Sequence, residues 1–401
     1  MDKNRMNIIY HFRVKGVGPE RVHIAGIAGA LENLGHQVYF VSPTDINPLK
    51  TGDIAVQKGG LRNVMYFLAD KMPQVFFEGM EILYNIMAIR KLKLKIAKTK
   101  PQLIYERYSF FCAAGIYISR KTNTPIVLEV NEVAGFDRVR SQQMVKLSKM
   151  FERYIFSHAD VIITVSEFLK NQIVQRGGKK ESILIVPNGI DVNLFNKQES
   201  PDSLKHKFGV SDSIIIGFVG YLVHWHRLDM LMDVYARIRA KFPKTKLFVV
   251  GDGVLRNDLE AKAKTLGIES DFIITGRVDH SEIPDYINIF DVAVIPNSNE
   301  YRSPIKMFEY MAMGKAIVAP DQPPIEDVLH DGVEGAVFQN GSADSLYSKL
   351  ELLLEDKELR SNVGKKAQEL VFSQYTWDIH AKTILDFVFN NRLLKSTETE
   401  R

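Results

Sequence analysis

Residues 214–253 read IIIGFVGYLVHWHRLDMLMDVYARIRAKFPKTKLFVVGDG, and this stretch decides the fold. An apolar run at 214–219 ends at Gly220, helical periodicity follows over 229–242, and a second apolar run at 246–250 ends in glycine. These signals predict a strand, a helix and a second strand. Such alternation is typical of a parallel sheet with helices on both faces.

The same alternation extends in both directions from this stretch. Toward the C-terminus we expect helices over about 343–392 and a frayed tail at 396–401. A polar stretch at 196–203 has the composition of a linker. The sequence therefore predicts an α/β protein of two doubly wound domains. The other predicted elements are strands at 6–10, 37–41, 103–106, 126–130, 161–165, 183–186, 272–275, 292–295 and 316–318, and a helix at 22–34.

The composition is that of an ordinary globular protein. Of 401 residues, 45% are apolar and 25% are charged, which excludes a disordered, collagen-like or disulfide-rich chain. The single cysteine, Cys112, cannot form an internal disulfide or a Cys-rich metal site, and this favours a reducing compartment, the cytoplasm. No apolar run reaches the roughly 18 residues of a membrane span. Residues 6–10 are too short for the core of a signal peptide.

Basic residues concentrate in the first half of the chain. Residues 1–199 hold 28 Lys and Arg against 18 Asp and Glu, whereas residues 200–401 hold 24 against 30. The basic segment 90–100 alternates lysine with leucine and isoleucine. It forms either a peripheral contact with the inner face of the membrane or a solvated helix face. We expect no nucleic-acid partner.

Two loops of the first half have residues suited to binding a diphosphate. Gly16-x-Gly18 lets backbone N–H groups approach a phosphate at the start of a helix, although a simple glycine turn has the same pattern. The third glycine of the dinucleotide fingerprint is missing, which disfavours nicotinamide binding. Residues 187–191, PNGID, form either a plain tight turn or part of a site.

The densest segment is 303–315, SPIKMFEYMAMGK, which lies between two apolar runs. A helix that begins here offers the free N–H groups of its first turn to a phosphate. Lys306 adds a cation, and Glu309, one turn further, can accept hydrogen bonds from sugar hydroxyls. The alternative is a core helix whose Lys306 and Glu309 side chains lie in water.

In order and spacing, these segments resemble those of the retaining glycosyltransferases of the GT-B fold, specifically glycosyltransferase family 4 and its group 1 relatives. The resemblance extends over nearly the whole chain. No single segment is specific, but the ordered set is. The set consists of 34–38 (LGHQV), 159–160 (AD), 165–167 (VSE), 187–191 (PNGID), 220–223 (GYLV), 250–253 (VGDG), 275–278 (TGRV), 304–314 and 331–335 (DGVEG).

The resemblance implies two Rossmann-like domains that face a central cleft. Residues 1–195 would bind the acceptor, residues 204–375 the nucleotide-sugar donor, and a helix at 376–401 would pack back on the first domain. The implied reaction is hexosyl transfer with retention, without a metal or other cofactor, from a UDP- or GDP-sugar to a glycan or lipid-linked acceptor in polysaccharide or glycoconjugate biosynthesis. The chain has no Asp-x-Asp motif, so N–H dipoles and cationic side chains would neutralise the diphosphate.

Carried over position by position, the resemblance assigns roles to individual residues. Gly18 would lie at the diphosphate, backbone groups near Arg277 and Val278 would hold the base, and Glu309 would bind the ribose hydroxyls. The segment 303–306 would line the phosphates and the donor sugar. The implied donor-binding residues are Gly18, Gly220, His226, Arg227, Arg277, Val278, Ser303, Pro304, Ile305, Lys306 and Glu309.

Two departures from the family pattern concern the donor domain. The first of the family's paired glutamates would stand at 301, where this chain has Tyr301. The phosphate-binding Arg and Lys that follow the first glycine fall on Tyr221 and His226. Arg227 or Lys306 would then supply the missing positive charge, since one nearby cation neutralises much of a phosphate charge.

A third departure concerns the first domain, where the family's active-site histidine is missing after the fourth strand. Asn131 stands there and would hydrogen-bond the donor sugar, while Glu129 or Glu132 would present a carboxylate to the reacting centre. We therefore name Asn131, Glu129 and Lys306 as candidate catalytic residues, and Arg107 as an acceptor or donor contact. The alternatives are a nucleotide-sugar epimerase of the same fold and a catalytically eroded sugar-nucleotide binding module.

Overall fold

The structure, a computed structural model, divides the chain into two compact units. Unit 1 comprises Met1–Pro187 and Trp377–Arg401, and unit 2 comprises Asn188–Thr376. Gly18 lies outside the described residues, and so does part of the predicted tail. The structure describes residues 5–14, 19–44, 46–50, 74–136, 142–196 and 200–398, with the backbone alone at 19 and 392–398.

Unit 1 contains a parallel sheet of six strands in the order β2-β1-β3-β4-β5-β6. Its strands are β1 (Asn7–His11), β2 (Gln37–Val41), β3 (Leu103–Arg107), β4 (Ile126–Val130), β5 (Val161–Thr164) and β6 (Ile183–Ile185). The helices of its first segment are α1 (Pro19–Asn33), α2 (Gln74–Thr99), α3 (Ala114–Thr122), α4 (Val145–His158) and α5 (Glu167–Gln175).

The last described helix, Trp377–Glu398, returns to unit 1 and packs against α1. Trp377 is buried in the same apolar cluster as Ile24 and Ile27 of α1. A Cβ atom at Gly26 would collide with the indole ring, so only glycine allows this approach. Part of the core of unit 1 therefore comes from a segment near the C-terminus. A hydrogen bond from Asn33 to Asp378, 345 positions further along the chain, joins the same two helices.

Unit 2 contains a second parallel sheet in the order β12-β11-β10-β7-β8-β9. Its strands are β7 (Ile214–Val219), β8 (Thr245–Val250), β9 (Phe272–Ile274), β10 (Val292–Val294), β11 (Ala316–Pro320) and β12 (Ala336–Phe338). Its helices are α6 (Val192–Phe195), α7 (Asp202–Lys207), α8 (Leu228–Lys241), α9 (Arg256–Leu266), α10 (Ile283–Asn288), α11 (Ile305–Ala312), α12 (Pro323–Glu326), α13 (Ala343–Glu355) and α14 (Lys357–Gln374); the returning helix is α15.

The predicted α/β class is confirmed by these two parallel sheets, whose central strands are buried on both faces. The predicted strand at 214–219 has the bounds that the apolar run indicated. The polar stretch 196–203 contains the start of α7, which the linker interpretation did not include. Strand β12 was not predicted. No helix in the described part of the chain is long and apolar enough to cross a membrane.

Candidate functional site

In unit 2, the carboxyl end of β7 and the first turn of α11 form one compact group. β7 ends at Val219, whose N–H donates to the Tyr310 hydroxyl at 2.7 Å, and this bond fixes α11 against the strand. Gly220 follows with φ of 151°, a backbone conformation that favours glycine. A Cβ atom at Gly220 would lie 2.6 Å from Lys306 Nζ, so the missing side chain makes room for the lysine.

Lys306 brings a buried amine to this group. Its Nζ lies 4.1 Å from the centroid of the Phe218 ring and, among the described residues, has no hydrogen-bond partner. Burial lowers the pKa of Lys306 to about 7, against a smaller opposing effect of the Glu309 charge. A buried ammonium without a hydrogen-bonding partner is costly, and an anion bound beside it would relieve that cost.

Glu309 lies one turn beyond Lys306 and is also buried, with 5% of its surface exposed. Its Oε1 is 2.9 Å from Nε2 of His280. No hydrogen bond within the described residues engages its Oε2, so one oxygen remains available to a ligand hydroxyl. The alternative interpretation, in which Lys306 and Glu309 extend into water, is wrong because both side chains are enclosed.

His226 does not supply the positive charge expected at its position. Its Nδ1 donates to the Tyr221 carbonyl oxygen at 2.7 Å, which leaves Nε2 as an acceptor. Burial and the nearby charges of Lys306 and Arg302 lower the pKa of His226 to about 3. Arg227 pairs with Asp229 at 3.2 Å on the surface. Arg227 and Lys306 were predicted to replace the missing phosphate-binding Arg and Lys. Of these two, Lys306 lies beside Gly220 and forms no ion pair with the described residues.

The turn at 187–191 joins the loop that precedes α11. Asn188 donates from its backbone N–H to Ser303 Oγ at 3.1 Å and from Nδ2 to the Ser303 carbonyl oxygen at 2.5 Å. Pro304 has no N–H and stands at the N-cap, and Ile305 begins the helix. The turn therefore holds Ser303 in place, which is more than the plain-turn interpretation required.

Arg277 and Val278 lie at the same edge of the sheet, because β7, β8 and β9 are neighbours. They follow Gly276, which has φ of 79° and pairs with Gly251 at the end of β8. The Arg277 side chain is exposed, and Val278 packs partly against the core. Their assignment to the base stays a prediction, as does that of Gly18.

Tyr301 stands at the position of the missing glutamate, and Arg302 follows it. Tyr301 is buried, and the Arg302 guanidinium lies 5.3 Å from its ring centroid. The same guanidinium lies 5.9 Å from the ring of Trp225, a residue of the loop after β7. Arg302 was not predicted, although its position between Tyr301 and the segment 303–315 was a signal that could have identified it.

In unit 1, Glu129 forms the centre of a buried hydrogen-bond network. Its Oε1 accepts from Arg107 and from Asn131, both at 2.5 Å. Its Oε2 accepts from the hydroxyl groups of Tyr105 at 3.0 Å and Tyr10 at 3.3 Å. Both oxygens are occupied, so Glu129 positions Arg107 and Asn131 and does not present the free carboxylate that we predicted.

The electrostatics of this network follow from its partners. Burial raises the pKa of Glu129, but the His23 and Arg107 charges and the hydrogen bonds outweigh burial, and the net pKa is lowered. Burial lowers the pKa of His23 to about 4. Glu132, which is half-buried, accepts no hydrogen bond from the described residues. Its carboxylate therefore remains open to a ligand.

One group in unit 1 has the donor atoms of a metal site. His11, Glu106 and Cys112 are buried, with their ligand atoms within 4.8 Å of one another. His11 Nδ1 and Glu106 Oε2 lie 2.5 Å apart and bond to each other directly. Burial raises the pKa of the Cys112 thiol to about 12, and a thiol must lose its proton to bind a metal. The arrangement is that of a histidine–carboxylate pair beside a protonated thiol.

Comparison with known proteins shows what the chain resembles. The family model for glycosyltransferase family 4 matches residues 21–194, and the model for group 1 glycosyl transferases matches residues 201–370. Alpha-monoglucosyldiacylglycerol synthase of Streptococcus pneumoniae is 23% identical over 96% of this chain and 86% of its own. An uncharacterized glycosyltransferase of Methanocaldococcus jannaschii is 23% identical over 94% of this chain and 96% of its own.

Solved structures agree on the architecture. HepE from Anabaena, in complex with UDP, superposes with a TM-score of 0.71 over 96% of this chain and 100% of its own, at 17% identity. The two family models together cover most of the chain, in the order in which its two units occur. The protein is a glycosyltransferase of the GT-B fold and belongs to the group 1, family 4 type.

Proposed function

We propose that this glycosyltransferase moves a hexosyl group, with retention, from a UDP- or GDP-sugar to a glycan or lipid-linked acceptor in the synthesis of cell-surface polysaccharide or glycoconjugate. The observation that carries the proposal is the buried Lys306 ammonium, which lies beside Gly220 without a hydrogen-bonding partner in the described residues. The relative named as a synthase of a glucosylated diacylglycerol supports a lipid acceptor. We place the enzyme in the cytoplasm.

The residues of unit 2 can neutralise a diphosphate without a metal. Lys306 supplies the cation, and the first turn of α11 supplies N–H groups with the positive end of the helix dipole. The Glu309 Oε2 would accept from the ribose hydroxyls while His280 holds Oε1. These groups stabilise negative charge as it develops on the leaving group.

The reaction would proceed by substitution on one face of the sugar. The bond from the anomeric carbon to the phosphate oxygen breaks, and the acceptor oxygen bonds to the same carbon from the same side. The acceptor proton passes to the departing phosphate oxygen, so no protein base is required. Asn131, which donates to Glu129, would then hydrogen-bond the donor sugar, and Glu132 would present a carboxylate to the reacting centre.

A panel of UDP- and GDP-sugars tests the proposal. The protein is incubated with each donor, with and without membrane lipid extract, and released nucleoside diphosphate and glycosylated product are measured by mass spectrometry. We expect release that depends on the extract and a product that carries the sugar. An epimerised donor formed without acceptor would establish the epimerase instead, and donor binding without turnover would establish the eroded binding module.

Two matched variants test the donor site within that assay. Glu309→Gln replaces a carboxylate oxygen with an amide that donates, so we expect kcat/KM to fall about a hundredfold. Glu260→Gln makes the same change on an exposed helix of unit 2, where Glu260 pairs with Arg256, and it should leave turnover unchanged. Full turnover of Glu309→Gln would refute the assignment of Glu309 to the donor.

We further propose that α2 contacts an anionic membrane. Leu83, Leu94 and Phe76 are each more than 60% exposed and lie on one stripe of the helix, because their spacings of 7 and 11 follow its period. Lys93 and Lys98 flank this stripe on either side and are exposed, while Arg90, seven positions after Leu83, lies on the stripe itself. An exposed apolar stripe with basic flanks is the pattern of a helix that lies in the membrane interface.

Vesicle binding tests this contact. We expect the protein to sediment with phosphatidylglycerol vesicles and less with phosphatidylcholine vesicles, because charge and apolar burial both contribute. Leu83→Glu should weaken the first interaction about tenfold. Leu352→Glu, an equivalent change at an exposed leucine of unit 2, should have no effect. If Leu83→Glu binds as the wild type does, α2 is a solvated face.

A further inference from the structure

Arg302 lies between two aromatic side chains from different loops. Its guanidinium carbon is 5.3 Å from the Tyr301 ring centroid and 5.9 Å from that of Trp225. The backbone N–H of Arg302 donates to Asn299 Oδ1 at 3.0 Å, and Asn297 Nδ2 donates to the Trp225 carbonyl oxygen at 2.7 Å. The bond from Asn297 ties the loop before α11 to the loop after β7, whereas the bond to Asn299 lies within the loop before α11. Arg302 is thus held in the loop that is bonded to Trp225.

A second arginine of unit 2 shows what Arg302 lacks. Arg237 lies 4.5 Å from the Tyr347 ring centroid and also pairs with the Asp344 carboxylate at 2.7 Å. Within the described residues, Arg302 forms no ion pair. Stacking on aromatic rings engages the faces of a guanidinium and leaves its N–H groups free. The Arg302 donors are therefore available to a ligand.

Arg302, in the loop before α11, and Lys306, in the first turn of α11, are four positions apart, and no carboxylate of the described residues bonds to either. Burial and the charges of both cations lower the pKa of His226, so this histidine stays neutral. Two neighbouring cations without a bonded counter-charge repel each other, and a bound anion would remove the free-energy cost of this repulsion. A site of this kind suits a ligand with more than one negative charge.

We propose that Arg302 is a second cation of the donor site, held by Tyr301 and Trp225, and that it binds an anionic group of the nucleotide sugar. The inference rests on the proposed function and specifies the chemistry of its donor. The anionic group is either a phosphate of the diphosphate or the carboxylate of an acidic sugar. A guanidinium binds either group through two parallel N–H···O bonds.

Calorimetric titration with three ligands distinguishes the two sources. The ligands are the nucleoside diphosphate, its neutral hexose derivative and its hexuronate derivative, with the base that the wild type binds more tightly. We expect Arg302→Gln to weaken binding at least tenfold. Equal weakening of all three ligands identifies a phosphate, whereas weakening of the hexuronate derivative alone identifies the sugar carboxylate. Arg302→Lys should restore part of the affinity for a phosphate, because a point charge suffices there.

Control variants distinguish a failure of the Arg302 assignment from a failure of the proposed function. Arg237→Gln removes a stacked arginine that already has a carboxylate partner, and it should bind all three ligands as the wild type does. Arg302→Met is a second neutral variant if Arg302→Gln does not fold. If folded Arg302 variants bind every ligand normally while Lys306→Met does not bind, Arg302 has no such role and the proposed function stands. A wild-type protein that binds no nucleotide would overturn both.

Discussion

Each unit has a buried charged group near the carboxyl end of its sheet, and the two groups differ in sign and in their hydrogen bonds. In unit 1, the Glu129 carboxylate accepts four hydrogen bonds, from Arg107, Asn131, Tyr105 and Tyr10. In unit 2, the Lys306 ammonium is enclosed without one hydrogen bond from the described residues. A buried charge with all its partners specifies a structure, whereas a buried charge without them stores free energy that a ligand can recover. The contrast separates a structural network from a binding site.

The largest effect should follow from breaking the satisfied network. Glu129→Gln leaves the half-buried Arg107 without its counter-charge and removes the acceptor of two buried tyrosine hydroxyls, so we expect the free energy of unfolding of unit 1 to fall by about 3 kcal/mol. Trp377 fluorescence in a Trp225→Phe background measures this unit alone, because the chain has two tryptophans. Glu132→Gln is the matched change and should cost less than about 0.5 kcal/mol. Equal losses in the two variants would show that the network contributes nothing specific.

Removal of the unpaired cation should affect binding and not folding. We expect Lys306→Met to lower kcat/KM about a hundredfold, a typical loss for one stabilising group at a developing anion. The free energy of unfolding should stay the same or rise, because a costly buried charge disappears. Lys315→Met is the control. Lys315 is half-buried, with its pKa lowered to about 8 mainly by desolvation, but it donates to the Asn288 carbonyl oxygen at 2.7 Å. Its substitution should leave catalysis intact.

Acid should destabilise unit 1 through its buried histidines. Burial lowers the pKa of His23 and of His380 to about 4, below the value near 6.5 of the unfolded chain. The unfolded chain therefore takes up protons between pH 6.5 and 4 that folded unit 1 does not, and stability falls as the pH falls through this window. We expect His380→Gln to reduce that loss by about 2 kcal/mol. His206→Gln, at an exposed histidine, should leave the profile unchanged.

The smallest effect concerns the pH dependence of nucleotide binding. With a pKa of about 7 in the free protein, Lys306 is fully charged only below that pH. A bound diphosphate should raise this pKa, so affinity is greatest below pH 7 and falls by up to about tenfold per pH unit above it. Calorimetry in buffers of different ionisation enthalpy should detect proton uptake at pH 8. Binding that is independent of pH between 7 and 9 would show that Lys306 does not contact the anion.

The comparison also explains how far sequence alone reaches. Apolar runs such as 214–219 predicted their strands because each run is a local pattern. Lys306 and Glu309 were identified because both belong to one helix turn. The His280 partner of Glu309 is 29 positions away, and the four donors to Glu129 come from two other strands, β1 and β3, and from the loop after β4. Such contacts are set by tertiary packing, which a local pattern does not contain.

The return of α15 to unit 1 has a consequence for synthesis on the ribosome. Unit 2 is continuous from Asn188 to Thr376, so its sheet and core can assemble as soon as those residues emerge. The core of unit 1 cannot be completed until Trp377 and the residues after it have been synthesised, because they pack beside Gly26 of α1. Although its sheet is translated first, unit 1 completes its core after unit 2, and until then an apolar face of α1 is a target for chaperones.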